Sequence, residues 1–410
     1  MPHYRSVGEI PRKRHTQFRR PDGGLYAEEL MGVEGFSSDS ALLYHRNLPT
    51  AIVNAETVAD HGRDTAPNLP LKPRHFRTQD LKWEDVDTVD AVTGRRLLFA
   101  NADVAICFVT ASAPSPLYRN AFGDELLYVQ AGAAVVETIY GALPVAAGDY
   151  VVLPTSTTYR VVPSPGVGAR QDAGAGVPQD EVRLLVLEAT GHVGPPRRYL
   201  AARGQFLEHA PYCERDLRAP AEPLLADEDA TEVPVLVRHR AGLTRFTYAH
   251  HPFDVVGWDG CLYPWAFNIR DFEPITGRIH QPPPVHQTFE GPNFVVCSFC
   301  PRKVDYHPLA VPVPYNHANV DSDELMFYVG GNYEARKGSG IGLGSMSLHP
   351  SGCTHGPQPG AVEASLGTDY FDETAVMVDT FRPLQLAAAA QECEDPSYAW
   401  SWSKGGLNQN

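Results

Sequence analysis

Two histidines and a glutamate in the second half of the chain have the residue types and the spacing of a metal site. The stretch "NHANVDSDELMFYV" contains His317 and Glu324, and His355 follows in "LHPSGCTH". Two imidazoles and one carboxylate on one face form the ligand set typical of non-haem Fe(II), with positions left open for substrate and O2. Manganese, nickel or zinc would fit the same ligands. Asp323, next to Glu324, is an alternative carboxylate.

The same pattern occurs earlier in the chain as part of an internal repeat. "YRNAFGDELLYV" aligns with "HANVDSDELMFYV", so that Asn120, Asp124, Glu125 and Leu126 each have an identical residue 199 positions later. The repeat continues in "GDYVVLPTSTTY" and "GSMSLHPSGCTH", where a glycine and a proline recur with an offset of 196. A repeat of this length predicts two related domains.

Short strands must position these side chains. Between frequent prolines (36) and glycines (35) lie β-branched and aromatic runs such as "DVAICFVTAS", "ELLYVQAG", "DYVVLPTS" and "EVRLLVLEA". Such runs, bounded by turn residues, predict an all-β sandwich or barrel. Helical patterns are scarce, and we expect helices in "RRYLAARGQFLEHA" and in the end segment "LQLAAAAQECEDPSYAW", where they would pack across domains or subunits.

The two-part pattern H-x-[HN]-x4-E and G-x5-P-x4-H resembles the two motifs of the cupin superfamily. Cupins are small antiparallel β-barrels, so the resemblance implies an all-β bicupin with two jelly-roll halves and few short helices. It places an N-terminal arm and a degenerate barrel in residues 1–205. A catalytic barrel and a C-terminal tail follow in residues 206–410.

The first half of the repeat has lost the histidines of the motif. Tyr118 stands at the position of His317, and Tyr159 at the position of His355, which leaves Glu125 alone. One carboxylate without an imidazole is a poor iron or zinc site. We therefore expect the first barrel to be a scaffold without metal.

Other stretches resemble the homogentisate dioxygenase family, in its shorter bacterial form, over nearly the whole chain. They are "LYAEELMG", "LLYHRNLP", "HPFDVVGWDGCLYPWAFNIRDF", "NYEARKG" and "LHPSGCTHGP". The resemblance implies Fe(II) bound by His317, Glu324 and His355. It also implies cleavage of the homogentisate ring with O2 to maleylacetoacetate, in tyrosine and phenylalanine catabolism. A related dioxygenase acting on gentisate or another dihydroxy-aromatic acid, or a non-catalytic metal-binding bicupin, is the alternative.

The family also implies a histidine base and a set of substrate-binding residues. "GRIHQPPPVHQTFEG" offers His280 and His286 as the base, and we favour His280 from its distance after "FNIRDFEPI". A histidine suits proton transfer near neutral pH.

In "GNYEARKG", Tyr333 and Arg336 take the positions that meet the substrate carboxylate, with Lys337 as the alternative cation. An arginine fork suits a carboxylate. His349 is expected to orient a ligand or the bound substrate, and His355 to lie beside that substrate.

Composition limits the class of protein and its partners. With 34 basic and 49 acidic residues the net charge is −15, which disfavours nucleic acid and anionic membranes. No apolar run is long enough for a spanning helix or a secretory signal, so we expect a soluble cytosolic protein. The seven cysteines suggest reduced thiols, with Cys297 and Cys300 of "CSFC" in the core. The family resemblance also implies a homo-oligomer, a trimer or hexamer.

Overall fold

A computed structural model of the chain describes residues 3–60, 63–83, 88–164, 181–227 and 229–403. Strands dominate these residues, whose α-helices are limited to the short segments Ala361–Ser365 and Ala388–Glu392. The predicted all-β bicupin class is confirmed. No helix in the described ranges is long and apolar enough to cross a bilayer.

The chain forms two compact units that are interleaved along the sequence. The first unit comprises Met1–His61, Asp87–Arg95 and Val109–Asn268. The second comprises Gly62–Val86, Arg96–Phe108 and Ile269–Asn410. The division near residue 205 that the repeat suggested stays a prediction.

The first unit is built from two groups of strands. One sheet has the order Arg5–Gly8, Val255–Gly260, Ser40–His45, Ala27–Gly32, and its buried Leu42, Tyr44 and Val256 pack together. The other strands of this unit are Ile52–Val58, Leu117–Asn120, Glu125–Thr138, Gly141–Ala146, Asp149–Leu153, Thr158–Pro163, Val182–Ala189, Leu217–Arg218, Val233–His239, Gly242–Tyr248 and Trp265–Asn268.

The long strand Glu125–Thr138 organises the first unit. It pairs with Val182–Ala189 over its first half and with Gly141–Ala146 over its second. Its first residue, Glu125, is therefore fixed between neighbouring strands and buried. Tyr118 and Tyr159 face one another as cross-strand partners.

The second unit contains the sheet that carries the candidate site. The sheet order is Gln287–Gly291, Phe294–Phe299, Glu373–Thr380, Asp323–Gly331, Ser345–His349, Arg74–Arg77, Glu394–Asp395. The remaining strands of the unit are Thr65–Ala66, Arg96–Ala100, Arg302–Lys303, Tyr370–Phe371 and Gln385–Ala387, together with Val104–Ala111, which continues into the first unit after Phe108.

The central strand Asp323–Gly331 is buried on both faces over the run Leu325 to Tyr328, as its continuous apolar sequence requires. Cys297, Met326, Tyr328, Ala375 and Met377 form a core cluster on one side of this sheet. A rigid central strand of this kind gives its first residues little freedom, which suits a binding site.

Both expected helices differ from the prediction. "RRYLAARGQFLEHA" forms only the 3-10 turn Arg197–Tyr199, because Gly204, at φ 85°, turns the chain back. The end segment is divided into the strand Gln385–Ala387, the helix Ala388–Glu392 and the 3-10 turn Tyr398–Trp400. Cys297 and Cys300 are both buried, as predicted, and no two cysteines of the described residues form a disulfide. The reduced state of the thiols stays a prediction.

Candidate metal centre and its cavity

His317 and His355 are held side by side by their own backbones. The N–H of each residue donates to the carbonyl oxygen of the other, both at 2.8 Å. The imidazole centroids are therefore only 4.4 Å apart. Gly356 permits this close approach, because a Cβ there would lie 2.5 Å from the side-chain oxygen of Asn316. The turn after His355 thus requires a glycine.

Glu324 completes the cluster from the start of the central strand. Its backbone pairs with His349 on one side and with Asp379 on the other. Its carboxylate lies 3.4 Å from His317 Nε2 and 3.3 Å from His355 Nε2. One ligand atom from each of His317, Glu324 and His355 falls within 4.8 Å of the others.

The hydrogen bonds around His355 suit a cation. Its Nδ1 lies 3.0 Å from the carbonyl oxygen of Cys353, so Nδ1 carries the proton and donates. In this tautomer Nε2 carries a lone pair, and it faces the Glu324 carboxylate. Two acceptors that face one another at 3.3 Å favour a positive ion between them.

Glu324 is held in its ionised form. Burial alone raises the pKa of this carboxyl group, but its contacts with His317 and His349 outweigh burial and keep the pKa well below its usual range. Asp323, the alternative ligand, points elsewhere, because its carboxylate accepts hydrogen bonds from the backbone N–H groups of Ser351 and Leu384, both at 2.8 Å.

His349 lies behind Glu324 and is fully buried. Its Nδ1 is 2.9 Å from Glu324 Oε1, and its ring stacks on that of His355 with centroids 4.0 Å apart. Burial lowers the pKa of His349 to about 3, so the ring is neutral. Its contacts are those expected of a group that orients a ligand, and it is absent from the described residues that line the cavity.

A cavity of about 460 Å³ opens in front of the cluster. His317 and Glu324 lie in its wall, and much of the remaining wall is apolar. The apolar side chains of the wall are Pro283, Phe299, Pro312, Val313, Pro314, Ala318, Met326, Ala335, Pro357, Phe371 and Met377. A planar aromatic molecule fits walls of this composition.

Both predicted base residues, His280 and His286, line this cavity. The Nδ1 atom of His280 lies 3.1 Å from the Asp305 carboxylate, and its Nε2 atom lies 3.1 Å from the Tyr315 hydroxyl. His286 stacks on Phe299 with centroids 4.4 Å apart. Burial and the nearby Arg302 lower the pKa of His286 to about 3, which makes this ring a poor proton acceptor.

The predicted carboxylate-binding residues separate in the structure. Arg336 is buried and lines the cavity, where its Nε donates to the Tyr328 hydroxyl at 3.2 Å and its Nη1 donates to the Gly356 carbonyl oxygen. Tyr333 packs against Tyr328 and is not among the described lining residues. Lys337 is exposed.

Asp379 is an acidic residue of the cavity that the sequence did not suggest. It is the cross-strand neighbour of Glu324, and Asn319 donates to its carboxylate at 3.5 Å. Burial and the negative charge of Glu324 raise the pKa of Asp379 to about 8. Only the pairing of two distant strands brings this residue to the site, so no local pattern reveals it.

In the first unit, an arginine contacts the residues that correspond to the cluster. Arg95 Nη1 lies 2.8 Å from Glu125 Oε1 and 2.9 Å from Glu188 Oε1. Its Nη2 donates to the Tyr159 hydroxyl at 2.8 Å, and its guanidinium lies over the ring of Tyr118. A covalently attached cation thus lies between the two carboxylates. The absence of metal from this barrel stays a prediction.

Comparison with known proteins identifies relatives of the whole chain. A sequence model described as "Homogentisate 1,2-dioxygenase C-terminal" matches residues 284–409. A Saccharolobus solfataricus protein named "Putative dioxygenase" is 37% identical over 404 residues, 97% of this chain and 98% of the relative. The homogentisate 1,2-dioxygenase of Emericella nidulans is 27% identical over 387 residues, 87% of this chain and 80% of that protein.

Among solved structures, a cupin 2 conserved barrel domain protein from Leptotrichia buccalis matches with a TM-score of 0.30 and 9% identity, over 82% of this chain and 99% of that protein.

Proposed function

Because the chain belongs to the homogentisate dioxygenase family and is a dioxygenase, we propose that it uses Fe(II) and O2 to cleave the ring of homogentisate, giving maleylacetoacetate. The observation that carries the proposal is the convergence of His317, Glu324 and His355 within 4.8 Å, with His317 and Glu324 in the wall of a largely apolar cavity. Two imidazoles and one carboxylate suit Fe(II) and leave positions for substrate and O2.

When bound, the iron would supply a redox centre and a Lewis acid for the substrate hydroxyl. The protein supplies the geometry. The reciprocal backbone bonds of His317 and His355 fix both rings, and Cys353 fixes the tautomer of His355. A ligand set that is positioned in advance loses little entropy on binding a metal.

His280 is the proposed base for the second substrate hydroxyl. Asp305 orients the imidazole from Nδ1 and stabilises its positive charge after proton uptake, as the carboxylate does in a histidine–aspartate pair. Nε2 faces the Tyr315 hydroxyl, which also lies at the cavity wall. The low pKa of His286 favours His280 for this role over its neighbour.

Arg336 is the proposed partner of the substrate carboxylate. It contributes a buried positive charge to the cavity, and its hydrogen bonds to Tyr328 and Gly356 hold the guanidinium in place. A fixed guanidinium binds a carboxylate with little loss of entropy. We assign Tyr333 a supporting role, since it packs against Tyr328.

The proposal includes a place in tyrosine and phenylalanine catabolism, a cytosolic location and a homo-oligomer, all from the family resemblance. Gentisate is the competing substrate, because it has the same two ring hydroxyls and differs in carrying its carboxylate directly on the ring.

Oxygen consumption by protein loaded anaerobically with Fe(II) tests the proposal. Homogentisate and gentisate are compared, with His355→Ala as the ligand variant and His239→Ala, an exposed histidine of the first unit, as the matched control. We expect rapid uptake with homogentisate, near wild-type uptake in the control, and none in His355→Ala. Oxygen uptake with gentisate alone would make gentisate, not homogentisate, the substrate. Oxygen uptake that persists in His355→Ala would refute the assigned metal centre.

A further inference from the structure

The last described residues of the chain pack behind the candidate metal centre. Residues 394–403, which we call the C-terminal strap, begin as the strand Glu394–Asp395, paired with Arg74–Arg77. The Gln358 amide donates to the Ser401 hydroxyl at 2.9 Å, and the Trp402 indole N–H lies 3.1 Å from the Gly356 carbonyl oxygen. These contacts attach the strap to the turn that follows His355.

Tyr398 is the strap residue that reaches the ligand network. It is fully buried, and its hydroxyl oxygen lies 3.0 Å from His349 Nε2. On the other side of the imidazole, His349 Nδ1 lies 2.9 Å from Glu324 Oε1. A continuous line of hydrogen bonds therefore runs from the strap through His349 to the carboxylate of the metal centre.

The direction of these hydrogen bonds follows from their chemistry. An ionised carboxylate only accepts, so His349 Nδ1 carries a proton and donates to Glu324. In a ring that carries a single proton, that proton is then on Nδ1. Nε2 then has a lone pair, and the Tyr398 hydroxyl must donate to it. The hydroxyl of Tyr398 thus favours the one tautomer that can donate to Glu324.

We propose that Tyr398 is a positioning residue of the metal centre, which acts through His349 to fix the orientation of Glu324. The inference rests on the metal site of the proposed function. Residues that orient metal ligands typically contribute about 10–100-fold to metal affinity or activity. The C-terminal strap is accordingly part of the site, although it is remote from both cupin motifs in the sequence.

The test is a double-mutant cycle on metal affinity in the full-length protein. Anaerobic titration with Fe(II) against a chelating indicator gives the affinity, and the visible spectrum of Co(II)-loaded protein reports ligand geometry. Tyr398→Phe removes only the hydroxyl. His349→Asn keeps an N–H donor for Glu324 but removes the acceptor of the Tyr398 proton. Tyr306→Phe, at a side chain 67% exposed, is the matched control.

We expect Tyr398→Phe to weaken Fe(II) binding about 10–100-fold and to change the Co(II) spectrum, with Tyr306→Phe unchanged. In the His349→Asn background the same substitution should change affinity by less than about twofold. The inference, but not the proposed function, would be overturned by either of two results. One is wild-type Fe(II) affinity in Tyr398→Phe. The other is an equal loss of Fe(II) affinity on Tyr398→Phe in the wild-type and His349→Asn backgrounds. Failure of the wild-type protein to bind Fe(II) would overturn the proposed function with it.

Thermal unfolding of the metal-free variants separates positioning from folding. If Tyr398→Phe does not fold, the Fe(II) affinities of His349→Asn and His349→Leu are compared instead. His349→Leu cannot donate to Glu324, so it should bind Fe(II) at least about 10–100-fold more weakly than the wild-type protein. His349→Asn should lose much less Fe(II) affinity. Equal affinities in these two variants would contradict a role that acts through His349.

Discussion

Replacing Arg95 with methionine removes the cation from the polar centre of the first unit. Glu125 is 1% exposed and Glu188 3% exposed, and both lose their 2.8–2.9 Å contacts with the guanidinium. Removing one partner of a buried ion pair costs about 3–5 kcal/mol. Since two carboxylates lose their contact with this cation, we expect a loss of about 5 kcal/mol.

A loss of this size is easily measured. For domains of this size each kcal/mol lowers the unfolding midpoint by about 2–4 °C, so Arg95→Met should lower it by about 10–20 °C. Calorimetry or circular dichroism follows the transition. The matched control is Arg245→Met, because Arg245 is 46% exposed and lies 3.5 Å from the exposed Glu56. Exposed pairs contribute about 0–1 kcal/mol.

A second variant tests the reason for the loss. Adding Glu125→Gln and Glu188→Gln to Arg95→Met removes the two carboxylate charges that contact Arg95 in the wild-type protein, so most of the stability should return. The reasoning is refuted if Arg95→Met unfolds within a few degrees of Arg245→Met, or if the triple variant is no more stable than Arg95→Met.

Three further predictions concern the second unit. In the metal-free protein, folding raises the pKa of Asp379 from 3.8 to about 8, so the folded state holds the extra proton and stability should fall as pH rises through this range. Urea unfolding at several pH values should show that the free energy of unfolding depends less on pH in Asp379→Asn than in the wild-type protein. An unchanged pH dependence would contradict the raised pKa of Asp379. His280→Gln should lower kcat about 10²–10⁴-fold, and His286→Gln should lower it much less. If steady-state kinetics show the larger loss in His286→Gln, His286 and not His280 is the base. Arg336→Lys should raise KM for homogentisate about 10–100-fold with unaltered Fe(II) affinity, whereas an unchanged KM would exclude Arg336 as the carboxylate partner.

The cluster could be predicted from the sequence because its members belong to local motifs. His317 and Glu324 share one stretch of chain, and His355 follows the next strand, so their spacing is visible in one sequence. The repeat also identified Glu125 as the counterpart of Glu324; Glu125 is the first residue of its strand and Glu324 the second residue of its own.

The residues that surround the cluster could not be predicted in this way. Asp379 reaches Glu324 only through strand pairing, and Arg95 reaches Glu125 from an irregular segment outside the repeated motif. Tyr398 belongs to an end segment whose alanine-rich start suggested a helix. Its contact with His349 depends on tertiary packing, for which a single sequence carries no periodic signal.

The central claim is that His317, Glu324 and His355 would hold Fe(II), and that the protein so loaded would add both atoms of O2 to homogentisate as its ring is cleaved. The most direct measurement is the mass of the product formed by Fe(II)-loaded protein under ¹⁸O2. The predicted result is maleylacetoacetate with both atoms of ¹⁸O2 incorporated, and no product from His355→Ala. A product whose new carboxylate carries no ¹⁸O, or labelled product from His355→Ala, would contradict it.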